Sequence, residues 1–224
     1  NINKYFDKKV KMVVLSNPNN PSGKLYSESE LRAISNQCFD NNIYLLVDEA
    51  YSDFAANDFF SIWRLKKTRT RNIVVNSLSK NLSISGWRIG YSIVPDEMVN
   101  HMIKLNQHLI TCAPTLLSNY VAHNFKKLLN HTKPQIDKIK VKRENILKFM
   151  NEIDIKFMEG SSTFYFFLDV TDYPGPTTKL AEELLYKNNI SVVPGEAYGS
   201  STEKFIRISI GTESEDQIKK ALIV

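Results

Sequence analysis

The sequence predicts an α/β fold: a mostly parallel sheet with helices on both faces, followed by a small α+β portion. Three observations predict it. Short, continuous apolar runs at 10–15, 43–47 and 72–76 read as strands buried on both faces. A helical periodicity, with Leu31, Ile34 and Cys38 on one side, separates the first two runs. Beyond Lys156 the pattern changes to strands and helices of a different rhythm. The boundary is placed near residue 140, giving segments 1–140 and 141–224.

In order, the strand at 10–15 runs into the turn-rich stretch from Ser16 to Gly23. Ser27 with Glu30 forms a capping-box pattern that opens a helix over 28–41. The strand at 43–47 ends at Asp48, and the strand at 72–76 ends at Ser77. The basic stretch from Lys66 to Arg71 is expected to be a solvated loop. A fourth strand at 91–94 is closed by Pro95, and helical patterns follow from Asp96 to about Asn151. The clearest comes after Pro134, with Ile136, Ile139, Ile146, Leu147 and Met150 recurring. The last third predicts strands at 164–170, 190–193 and 205–210, and helices at 177–187 and 213–222.

Composition bounds the function. The 224 residues are 42% hydrophobic and 24% charged, an ordinary globular balance with enough material for a core. No apolar run reaches the ~18 to 20 residues of a membrane span. Residues 1–10 show no signal-peptide pattern. Two cysteines, Cys38 and Cys112, are too few for a disulfide framework; both are expected as buried thiols in a reducing cytoplasm. A net charge of +5 suits anionic ligands, and nucleic acid is not expected as a partner. The four histidines show no metal-ligand spacing.

The chemistry lies at the strand ends. In open parallel sheets, ligands bind outside the carboxyl ends of the strands. Here three strands end in polar groups: Asn17 to Ser22, Asp48 to Tyr51, and Ser77 to Lys80. Each alone has an ordinary explanation, such as a turn or a helix cap. Together they describe one crevice. A lysine just past a buried strand is costly unless it is used, and a Schiff base to an aldehyde cofactor would use it.

At these residues the chain resembles the class I/II aminotransferases, the fold-type I, aspartate aminotransferase-like enzymes that use pyridoxal 5′-phosphate (PLP). The motifs are Asn-Pro-Asn-Asn-Pro-Ser-Gly at 17–23, Val-Asp-Glu-Ala-Tyr at 47–51, Ser-Leu-Ser-Lys at 77–80, Gly-Trp-Arg-Ile-Gly at 86–90 and Phe-Ile-Arg-Ile-Ser-Ile-Gly at 205–211. The resemblance implies a Schiff base at Lys80, with its amine later shuttling a proton. It implies Asp48 on the pyridine nitrogen, Tyr51 and Asn20 on the ring oxygen, and Ser77 and Arg88 on the phosphate. Arg207 would hold the substrate carboxylate; a buried structural ion pair is the rival role. A cis Asn20–Pro21 bond is also implied, whereas the loop from Pro194 to Gly199 is credited only with shape.

The implied reaction moves an amino group between an amino acid and a 2-oxo acid, in a cytoplasmic homodimer. A PLP-dependent lyase or decarboxylase shares these motifs. So does the aminotransferase-like effector domain of some transcription regulators. The match starts in the middle of the family's cofactor domain, without its phosphate-binding turn or its ring-stacking aromatic residue. The chain also begins with Asn rather than Met, so it reads as the C-terminal portion of a longer polypeptide, and in isolation little turnover is expected.

Overall fold

The computed structural model describes residues 2–6, 9–56 and 58–224. It divides into two compact units, Asn1–Pro18 with Tyr26–Pro134, and Asn19–Leu25 with Gln135–Val224.

The first unit is built on a four-stranded sheet of order β1-β2-β3-β4. Strands β1 (Met12–Ser16), β2 (Tyr44–Asp48) and β3 (Asn72–Ser77) run parallel; β4 (Gly90–Ile93) is antiparallel to β3. Ser16 pairs with Asp48, and Asp48 with Val75, so the carboxyl ends of these strands lie side by side. The helix α1 (Glu28–Asp40) starts at the expected capping box: Ser27 Oγ accepts from Glu30 N–H (3.2 Å), and Glu30 returns the bond to Ser27 N–H (2.7 Å). Its Leu31 and Cys38 pack with Leu45, Val47, Ile62 and Val74 in a core of fully buried side chains. Burying one such aliphatic side chain is worth roughly 1.5–3 kcal/mol. The opposite face of the sheet is open at Val14, which is 65% exposed.

Two expectations change here. The segment Lys66–Arg71 is a 3-10 helix, not a solvated loop. Buried Thr68 joins Ser35 and Asn72 in a closed polar network, with Thr68 Oγ1 2.7 Å from Ser35 Oγ. Arg69 lies over the Trp63 ring and Arg71 over Tyr44, so half of the basic cluster is occupied by its own neighbours. Cys38 is buried, and burial pushes its thiol up to about 11, but Cys112 is exposed. The reason is local: Cys112 sits in the turn between α3 (Asp96–Leu109) and α4 (Thr115–Glu152), and α3 itself buries no side chain among the described residues. Val99, Ile103, Leu105 and Leu109 all stand exposed on it.

The second unit contains the end of α4, β5 (Tyr165–Asp169), α5 (Thr177–Asn188), β6 (Val193–Pro194), β7 (Phe205–Ser209) and α6 (Glu215–Leu222). Its antiparallel sheet has the order β5-β7-β6. Ile146 and Met150 of α4 pack on Phe166, Leu168, Ile206 and Ile218. The strand expected over 190–193 shrinks to two residues. Asn189 closes α5 in the left-handed region, and Ile190 N–H turns back to Leu184 O (3.0 Å), which uses up the start of that apolar run. A cleft of about 950 Å³ lined by Leu180, Leu184, Ile206 and Ile218 also lies in this unit and contains no candidate residue.

Asn19–Leu25 belongs to the second unit through close backbone packing. A Cβ on Gly160 would stand 2.0 Å from Ser22 O, and Ser162 N–H donates to Gly23 O (3.0 Å). Buried Arg143 anchors the same place, donating to Tyr165 O (2.6 Å) and Gly160 O (2.5 Å) beneath the Phe166 ring. Burial pushes its guanidinium down to about 10. Arg143→Ala is expected to cost about 3 kcal/mol, since two carbonyls lose a charged donor. The midpoint of denaturant unfolding checks this, and an unchanged midpoint would show that the two bonds contribute nothing net.

Candidate active site

The main chain continues the ladder past the strand ends. Asn17 N–H donates to Asp48 O (2.9 Å), and Glu49 N–H donates to Val75 O (2.8 Å). Because side chains alternate along a strand, Asp48 and Glu49 point to opposite faces. Asp48 Oδ1 accepts from Ala50 N–H (2.9 Å), while its second oxygen takes no bond from the described residues. Tyr51 is buried in the turn that leads into a 3-10 helix, Ser52–Phe54.

Ser77 ends β3 and caps α2 (Leu78–Asn81), the single turn that carries half-buried Lys80. Its Oγ accepts from Ser79 N–H (3.2 Å). Leu78 N–H donates to Ile89 O (3.1 Å), so Ser77 and Arg88 flank one hydrogen bond. Arg88 is exposed and held in the left-handed region (φ 56°), with Nη1 donating to Ser85 O (2.9 Å). The first unit therefore carries Asp48, Tyr51, Ser77, Lys80 and Arg88 at the ends of two adjacent strands and in the turns after them.

The second unit carries Asn20 and Arg207. Arg207 lies in β7, opposite Phe167 and Val193. Its Nη1 donates to Asn20 Oδ1 (3.0 Å), which leaves the Asn20 amide nitrogen as a donor. The guanidinium lies over the rings of Tyr165 (4.3 Å to the centroid) and Tyr198 (5.5 Å). Its Nε is buried without an acceptor. Among the described residues no carboxylate pairs with it, so the rival role as a structural ion pair finds no partner there. Asn17–Pro18 and Asn20–Pro21 are both cis, the second as the resemblance implies.

Residues 2–223 match the family described as aminotransferase class I and II. The chain belongs to that family. Among its relatives in the family, it is 31% identical to an aspartate aminotransferase of Pyrococcus horikoshii, over 96% of this chain and 57% of that protein. It is 29% identical to an aspartate aminotransferase of Thermotoga maritima, over 92% of this chain and 53% of that one. The crystal structure of an aromatic aminotransferase from Pyrococcus horikoshii superposes with a TM-score of 0.91 at 25% identity, over 99% of this chain and 60% of that one. The fold is thus that of the fold-type I aminotransferases. The chain spans little more than half the length of the relatives it matches.

In this aminotransferase-family chain, three polar residues near the motifs escaped the sequence reading. Glu49 is 3% exposed, and burial pushes its carboxyl up to about 7 against bonds from Ser61 and Ile62 N–H. The signal was present: in an acidic pair at a strand end, alternation sends one member inside. Glu196, in the loop credited only with shape, accepts from Thr177 N–H (3.0 Å) and Thr178 N–H (2.8 Å), capping α5. The Thr178 hydroxyl bond, above all, holds its carboxyl below the usual range. Asn81, beside Lys80, is also buried. No helix among the described residues is long and apolar enough to cross a membrane, and no group of metal-ligating side chains occurs among them.

Proposed function

We propose that this chain belongs to a PLP-dependent aminotransferase that moves an amino group between an amino acid and a 2-oxo acid. The observation that carries the reading is Arg207: a planar cation seated on two aromatic rings and hydrogen-bonded to Asn20, with no carboxylate paired to it among the described residues. Amino acids and 2-oxo acids both carry an α-carboxylate that fits such a fork, so one residue serves both halves of the exchange.

The donor set fits PLP. Asp48 has an oxygen free to hold the proton on a ring nitrogen. Ser77 and Arg88, joined across one hydrogen bond, would bind the phosphate. Tyr51 and the Asn20 amide nitrogen would donate to the ring oxygen. When bound, PLP supplies an electron-withdrawing ring that stabilises negative charge at the substrate Cα. Lys80 Nζ would hold the cofactor covalently and, once released, take and return the Cα proton.

The functional division assigns 1–140 to the cofactor domain and 141–224 to the small domain. The whole protein is assigned as a homodimer, a reading supported by the exposed apolar side chains of α3. Its two free cysteines suit the cytoplasm.

Incubating the whole protein with PLP, an amino acid and a 2-oxo acid tests the reaction. Amino-group transfer that requires the oxo acid is expected. Pyruvate and ammonia released without an acceptor would make it a lyase instead.

A further inference from the structure

Lys80 sits on a helix of one turn. Such a turn has almost no stability of its own, because helix nucleation costs more than its few bonds return. The backbone bonds that close α2 at its C-terminal end are long: Leu82 N–H to Leu78 O at 3.3 Å and Ser83 N–H to Lys80 O at 3.4 Å. Something outside the turn must hold the lysine's backbone. Leu78 and Leu82 pack with Ile89 and Val121, but they grip the apolar side only.

The polar grip comes from the residue after the lysine. Asn81 is 8% exposed, and its Nδ2 donates to Asp53 Oδ2 at 2.8 Å. Its own Oδ1 is buried without a donor, so the side chain is committed to this one bond. Asp53 lies in the 3-10 helix Ser52–Phe54, two residues past Tyr51. The Asp53 charge is also felt at Tyr91 on β4: burial raises that phenol first, then the charges of Glu49 and Asp53. One hydrogen bond to a charged group, across 28 residues, therefore ties the turn bearing Lys80 to the turn bearing Tyr51.

We infer that Asn81 and Asp53 are a positioning pair that fixes where the Lys80 amine stands relative to the Tyr51 phenol. The inference rests on the proposed function and deepens it. Neither residue is among those assigned to substrate or cofactor; both act through the two turns.

The test uses the whole protein and PLP. Borohydride trapping followed by peptide mass spectrometry gives the rate of PLP attachment to Lys80 as a function of pH. Asn81→Leu and Asp53→Leu are each expected to slow attachment about tenfold, the scale of one hydrogen bond to a charged group, and to shift the pH midpoint of the rate. The double variant should be no slower than either single one, since both remove the same bond. Asp53→Asn keeps an acceptor and should restore most of the rate. Variants that unfold earlier but attach PLP with the unaltered rate and pH midpoint would overturn the inference, as would effects that simply add. Lys80→Ala separates the two failures. Trapping at another residue in Lys80→Ala, or no trapping in the unaltered protein, overturns the proposed function and the pair's role with it. If Lys80→Ala alone abolishes trapping and Asn81→Leu does not slow it, only the pair is wrong.

Discussion

Lys80→Ala is expected to eliminate the visible absorbance band of bound PLP and to slow amino-group transfer by roughly four orders of magnitude. The size follows from two jobs lost together. The amine that attaches the cofactor is gone, and so is the base that moves the Cα proton. Lys80→Arg keeps a positive charge at the same place but offers no neutral amine at ordinary pH, so it should fail equally. That comparison separates chemistry from electrostatics. A band that survives in Lys80→Ala and is still reduced by borohydride would remove Lys80 from this role.

Arg207→Ala is the second large effect. Its KM for the amino donor should rise about 100-fold, the scale of removing one partner from a buried charge pair. PLP binding should change far less. The rings of Tyr165 and Tyr198 fix the plane of the guanidinium and cannot replace its charge. Arg207→Lys should fall between, because a point charge on a flexible stem cannot offer the same fork. Some weakening of PLP binding is expected through Asn20, whose oxygen loses its donor. If loss of PLP is the main effect, Arg207 serves the cofactor and the carboxylate assignment is wrong.

Much of this was legible in the chain. Strands of a parallel sheet are written as unbroken apolar runs, so β1, β2 and β3 were found to within two residues, and so were the polar groups at their ends. The burial expected on both faces fails for β1, whose Met12 and Val14 stand exposed. The capping box of α1 is a local signal and appeared as read. What stayed hidden depends on depth or on distant contacts. Arg143 lies among lysines on a long helix, and only its burial distinguishes it from them. Arg207 meets Asn20 across 187 residues, a pairing that no periodicity encodes. Asn81 looks like any polar residue after a lysine until its partner Asp53 is seen. The fate of 190–193 turned on Asn189 adopting a left-handed cap, a conformation that Asn permits at a helix end but does not compel.

The placement of Asn19–Leu25 has a genetic consequence. The chain crosses between the two units at Pro18–Asn19, Leu25–Tyr26 and Pro134–Gln135, so no single cut in the gene separates them. An expression fragment that began at residue 135 would leave out the peptide whose Ser22 and Gly23 backbone lies against Gly160. It would expose a slot shaped for a missing strip of its own polypeptide. Anyone recombining halves of such enzymes to trade specificity must move that strip along with the C-terminal half, or the graft will carry Arg207 without Asn20 beside it.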